Sequence, residues 1–170
     1  YLRLPILLSL LFVALASCSG NSQTPSSEID EKFQILVPVT DMNKSFLIKV
    51  NSNEKNFNKG SRIRLIINNE SSNPITFPTE SQIKLLMFHN NEWVEVKNGM
   101  TYSGLLILAP KGTPLLDFRT TWVKPVLDDT VFGADKKEKL LRIVMIGEIT
   151  ENDRPTGKVV GAYVDVHITP

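Results

Sequence analysis

Between residues 28 and 170 the apolar side chains recur with a period of two, in short runs broken by Asn, Gly, Pro and Ser. No window of ten or more residues there holds a convincing 3.6-residue period. Successive side chains of a strand point to opposite faces, so such a chain buries one face of each short segment and leaves the other in water. Residues 62–68 show this plainly: Ile63, Leu65 and Ile67 share one face, while Arg62, Arg64 and Asn68 share the other. Residues 159–168 repeat it, with Val160, Ala162, Val164, Val166 and Ile168 set against Gly161, Tyr163, Asp165 and His167.

Further strands are predicted at 33–37, 46–50, 75–77 (ended by Pro78), 83–88, 93–96 and 105–108. Asn90 and Asn91 tolerate positive φ, so residues 83–96 read as a β-hairpin closed by a tight primed turn. Residues 140–149 are apolar on both faces, which places that strand near the middle of a sheet. The turn formers of residues 150–158 join it to the last strand in a C-terminal hairpin. The best helix candidate is 134–141, worth a turn or two, and 110–139 is the least regular stretch. Together these elements predict an all-β, antiparallel, two-sheet β-sandwich of immunoglobulin-like type over residues 28–170. A 42% hydrophobic share suits a folded core, and a net charge of +1 argues against a nucleic-acid partner. The single Cys excludes a disulfide framework.

The N-terminus has a different character. Residues 4–16, LPILLSLLFVALA, follow Arg3 and form an apolar run too short for a bilayer core of ~30 Å, which needs about 20 helical residues. The run reads as the central region of a secretory signal peptide, with Tyr1 at its head pointing to a truncated start. It closes on Leu15, Ala16, Ser17 and Cys18. This quartet resembles the lipobox of bacterial lipoproteins, with an aliphatic residue, two small residues and the Cys that carries the lipid. The competing reading is a stray Cys behind an ordinary signal peptide, but the chain's one Cys falls where a lipobox requires it. The resemblance implies signal-peptidase recognition of Leu15, Ala16 and Ser17, removal of residues 1–17 and acylation of Cys18. A palmitate-type anchor would then hold the protein on the extracytoplasmic side of a membrane in the bacterial cell envelope. Loss of Arg3 leaves basic and acidic residues balanced, so attachment rests on the lipid; one acyl chain binds only marginally and two or three bind stably. Residues 18–27 carry neither charge nor a large apolar side chain and read as a flexible tether.

Chemistry-bearing residues are sparse. Asp165 and His167 share a strand face at i and i+2, a pairing that can orient an imidazole, but the residues favour the simpler reading of a surface His beside an acid. His89 precedes the hairpin turn. No G-x-S-x-G or H-E-x-x-H motif occurs, and the one thiol is assigned to the lipid. The acidic loops Asp128-Asp129 and Glu151-Asn152-Asp153 lack the alternation of a Ca²⁺ loop. No catalytic residue, metal site or cofactor is therefore expected. The aromatics outside the strict alternation, Trp122, Tyr102 and Phe132, are the candidates for a binding surface. Trp93 reads as a plug between the sheets, and for Trp122 that role stands beside the binding one.

A second resemblance follows from NKGSRIRLIINNESSNPITF, IKLLMFHNNEWVEV and LILAPKG, which span residues 58–112. Their order of features is similar to bacterial immunoglobulin-like modules, among them the bacterial intracellular proteinase inhibitor domain and single-module bacterial lipoproteins. The sequence thus leads to an expectation: a non-enzymatic, membrane-anchored binding or scaffolding module whose partner is an envelope protein or other surface ligand. An inhibitor or envelope accessory module acting through a sandwich loop is the alternative, and a hydrolase built on His167 and Asp165 the distant third.

Overall fold

The computed structural model describes residues 35, 37–51, 55–78, 83–102, 105–134 and 136–170. Ten strands form among them: β1 (Phe46–Val50), β2 (Asn56–Asn58), β3 (Ile63–Asn69), β4 (Ile75–Phe77), β5 (Ile83–His89), β6 (Glu92–Val96), β7 (Leu106–Leu108), β8 (Phe118–Val123), β9 (Lys139–Glu151) and β10 (Arg154–Thr169). Two 3₁₀ turns, Val39–Asp41 and Asp129–Phe132, complete the described elements. One sheet has the order β1-β3-β8. The other runs β2-β10-β9, and the far edge of β9 is shared by β4 and β5, which pair outward with β7 and β6. The pairings are antiparallel except at β2, which joins β10 in parallel through the register His167 to Asn56.

The two sheets close face to face over one apolar interior, making the all-β sandwich that the alternation predicts. Ile63, Leu65 and Ile67 face inward from β3, and Ile143, Met145, Val166 and Ile168 meet them from the larger sheet. The register of β10 is as read from the sequence: Ala162 and Val166 are fully buried. Phe46 and Phe77 bridge the sheets edge to face, with ring centroids 5.1 Å apart at 85°. Gly147 makes room for Phe77 and Ile75, because a Cβ there would stand 2.8 Å from both the Ile75 Cγ2 and the Phe77 ring.

A second apolar cluster explains why 140–149 reads as apolar on both faces. Ile35, Val37 and Met42 lie across the outer face of the larger sheet and cover Val144, Leu86 and Trp93. β9 is consequently buried on both sides from Leu141 to Met145. Trp93 is a core residue, but of this outer layer, where its ring meets that of Phe88 at a tilt of 57°, with centroids 5.3 Å apart.

Several expectations are corrected. The helix candidate 134–141 forms no helix among its described residues, since β9 starts at Lys139 and the strand pairing satisfies its backbone. The irregular stretch 110–139 contains a regular strand, β8. The nine-residue connection 150–158 shrinks to a two-residue turn, Asn152-Asp153, with φ of 50° and 61°, and β10 carries a bulge between Pro155 and Val159. Asn90 and Asn91, with φ of 50° and 63°, do close the predicted hairpin. Of the strand predicted at 33–37, only Ile35 and Val37 are described; both are buried without strand pairing. Cys18, Leu15, Ala16, Ser17 and the tether 18–27 lie outside the described residues.

Candidate functional site

β8 is the last strand of the smaller sheet, and its side chains alternate with an inverted sense. Phe118, Thr120 and Trp122 point outward, while Val123 enters the core. Trp122 is 43% exposed and Phe118 40%. The cross-strand registers place Arg64 beside Trp122, Lys49 and Ile66 in line with Thr120, and Leu47 and Asn68 in line with Phe118. Arg64 lies over the indole, its guanidinium carbon 5.9 Å from the ring centroid.

Tyr102 holds this strand from behind. Its hydroxyl donates to the Trp122 carbonyl at 2.6 Å and accepts from Asn98 Nδ2 at 2.6 Å. Asn98 Oδ1 accepts from the backbone N–H of Lys124 and of Met100. The isolated bridge between Asn98 and Pro125 completes a clasp along the edge of β8. Burial pushes the Tyr102 phenol above its ordinary range, against a smaller lowering by Asn98. The neutral donor is therefore favoured in the folded state. Because the folded value is raised, this contribution is complete below the ordinary tyrosine value of 10.0 and is lost as pH rises through the folded value. As pH rises above the ordinary value of 10.0 the parent is expected to lose more of its thermal midpoint than Tyr102→Phe, which has no phenol to ionise. Parallel alkaline melts of the two proteins check this; identical slopes would show that burial does not raise the Tyr102 phenol.

Of the three aromatic candidates the fold brings two together. Trp122 is exposed, and Tyr102 buttresses its backbone. Phe132 is corrected to a core residue: it is 2% exposed, at the end of the 3₁₀ turn Asp129–Phe132, and packs in the intersheet cluster. The Asp165–His167 pairing is corrected as well. Both Asp165 oxygens accept from Arg142, one from Nε and one from Nη2, each at 2.8 Å. His167 Nδ1 instead lies 3.4 Å from Glu138 Oε1. Arg142 is 7% exposed, and its guanidinium stacks between Tyr163, 4.2 Å away, and Trp93, 4.9 Å away. Burial opposes its charge, but the hydrogen bonds and charge of Asp165 outweigh that and raise its pKa. The sequence flagged Asp165 yet gave no sign of Arg142, because the pair meets only through the β9–β10 register.

The acidic loops have local roles. Asp128 Oδ1 accepts from the Thr130 N–H at 3.0 Å, capping its 3₁₀ turn, and those bonds hold the Asp128 carboxyl below its usual range. Asp129 pairs with Lys59. Among the described residues, no group of three or more His, Cys, Asp or Glu side chains is arranged to hold a metal ion. An apolar groove of about 440 Å³ runs over the outer side of β4 and β7, lined by Pro74, Leu105, Ile107, Leu116 and Pro155, with Arg119 and Asp153 at its margin.

No protein-family model and no curated protein matches the chain. Solved structures are similar only at low identity. A Salmonella enterica SafA pilin in complex with the SafB chaperone shares 12% identity at a TM-score of 0.36, covering 72% of this chain. The match spans only about half, 54%, of that chain. A protein from Archaeoglobus fulgidus shares 14% identity at a TM-score of 0.34, over 75% of this chain and 96% of its own. AvmM, described as catalysing macrocyclization in alchivemycin A biosynthesis, shares 10% at 0.32, over 76% of this chain and 91% of its own.

Proposed function

We propose that this chain is a lipid-anchored protein of the bacterial cell envelope, displayed on the extracytoplasmic side, whose sandwich binds a protein partner and performs no catalysis of its own. The observation that carries the binding role is Trp122. A large ring is left 43% exposed on a regular strand, with the Arg64 guanidinium over it and its backbone carbonyl held by the Tyr102 hydroxyl, so strand and ring are set up for contact. Preorganised Trp and Arg side chains are the residue types that dominate interface energetics, because little freedom remains to be lost on contact. The anchor rests on Leu15-Ala16-Ser17-Cys18, since only a thiol forms the thioether that a lipobox Cys carries.

The two halves are tested separately in living cells. Metabolic labelling with a fatty-acid analogue is expected to mark the parent and not Cys18→Ser; label retained in the variant would sink the anchor. A photoreactive residue at position 120, between the two exposed rings, is expected to give a discrete cross-linked partner that disappears in Trp122→Ala. A Trp at a well-packed contact centre contributes about 2 kcal/mol or more, some thirtyfold in affinity. An adduct indifferent to Trp122→Ala would remove this face from the binding role.

A further inference from the structure

Charge on the smaller sheet is segregated. β1, β3 and β8 contain no Asp or Glu, although the whole chain is nearly neutral at +1. Their outer face presents Lys49 and Arg64, both exposed, and exposed Arg62 stands just before the start of β3. None of these three cations is paired with a carboxylate among the described residues. Cations with no carboxylate partner among the described residues, on a face that also exposes Trp122 and Phe118, are complementary to an anion with an apolar component.

The geometry narrows the class. Trp122 and Phe118 stand four residues apart on β8, about 13 Å at the usual strand rise. Between them the row Thr120, Ile66 and Lys49 crosses all three strands, so the two rings bound a lane with an aliphatic floor and an ammonium at its far end. Three strands spaced about 4.8 Å apart make this face far smaller than the roughly 800 Å² per partner of a standard protein interface. A short linear segment fits such a footprint better than a folded surface does.

The route of docking also follows. A partner that added a strand to β8 would need its free backbone groups, yet several of these are occupied. Arg119 Nη1 donates to the Phe118 carbonyl at 2.9 Å, the Tyr102 hydroxyl to that of Trp122, and the Lys124 N–H is held by Asn98. Recognition on this side therefore runs through side chains over the face, where Arg64 can take a carboxylate with two parallel hydrogen bonds.

We propose that the outer face of the β1-β3-β8 sheet binds an acidic linear peptide bearing aliphatic side chains, its carboxylates on Lys49, Arg62 and Arg64 and its apolar residues in the lane between Trp122 and Phe118. This rests on the reading of the sandwich as a binding module, whose cross-linking test is independent of any chosen peptide.

Fluorescence anisotropy on the purified chain decides it, with a fluorescein-labelled octapeptide of alternating Glu and Leu as the probe. Saturable binding is expected, weakening about tenfold between 50 and 200 mM salt, as exposed charge pairs do. Arg64→Glu and Trp122→Ala are each expected to weaken it at least tenfold. Both side chains are exposed, so thermal midpoints should stay within a few degrees of the parent; Lys49→Glu is the substitute if either variant melts early. Lys158→Glu, on an exposed residue of the larger sheet, is expected to change nothing. No binding of the Glu/Leu peptide, equal binding of its Lys/Leu counterpart, or tighter binding of oligogalacturonate or oligothymidylate would each overturn the acidic-peptide assignment. If the peptide fails while Trp122-dependent cross-linking persists, the class of partner is wrong and the binding module stands; if cross-linking also ignores Trp122, the reading beneath it falls.

Discussion

Phe77→Ala is expected to lower the unfolding free energy by about 3–5 kcal/mol, a large part of the 5–15 kcal/mol typical of a domain. The Phe77 ring is fully buried and meets Phe46 edge to face across the intersheet space. The site has little means of collapsing into the void, because the residue beside it on β9 is Gly147. Gly147→Ala should destabilise the parent, where its Cβ strikes the ring, and should cost less in the Phe77→Ala background, where part of that space is open. Phe118→Ala, on the exposed outer face, is the control and is expected to stay within about 0.5–1 kcal/mol of the parent. Chemical denaturation of the four variants checks the set. A Phe77→Ala loss no greater than that of Phe118→Ala would mean that the Phe46–Phe77 contact does not bridge the sheets.

Asp165→Ala has the second large effect, expected at about 2–4 kcal/mol. Alternation alone places Asp165 on the outward face of β10, where substitution should matter little. The structure reverses this, because Asp165 is the bidentate partner of a 7%-exposed Arg142 stacked between Tyr163 and Trp93. Removing the carboxylate strands a guanidinium where water reaches poorly, and that desolvation is the source of the cost. Arg142→Met keeps an unbranched side chain of similar length against the two rings and removes the charge. The double variant Arg142→Met, Asp165→Ala should therefore be more stable than Asp165→Ala alone. His167→Ala is expected to change little, since its imidazole is half-exposed and lies 3.4 Å from the exposed Glu138 carboxylate. Thermal or denaturant unfolding reads all of these, and additivity of the two single changes would show that Arg142 and Asp165 do not act as a pair.

Much of the fold was legible because its strands carry their own signal. Residues 46–50 and 75–77 become strands with the bounds read from alternation, and the inward set of β10 is the predicted one. The paired Asn residues at 90–91 called for a tight turn by their tolerance of positive φ, and the chain uses them so. β8 was missed because its pattern runs backwards. Its large apolar residues, Phe118 and Trp122, face water, and Arg119 and Thr121 occupy inward positions at a sheet edge. The feature that hid the strand is the one that makes it a candidate site. β2 was missed because three residues hold too little pattern, and its partner β10 lies more than a hundred residues away. The arm of the C-terminal hairpin beyond Thr150 continues the ladder without apolar side chains, so no periodicity announced it.

The functional residues divide along the same line. The sequence by itself picked Trp122 and Tyr102 as aromatics outside the alternation, and composition and patterning determined an all-β chain with no Cys to staple its body. Only tertiary structure decided that Phe132 goes inside while Trp122 stays outside, since both are large apolar side chains in the same irregular stretch and burial depends on which surface each meets. Only register brings Tyr102 under the carbonyl of Trp122, Arg64 over its ring and Arg142 against Asp165. A period of two records which face a residue points to; what stands opposite it depends on pairing between strands distant in sequence, and local pattern carries no information about that pairing.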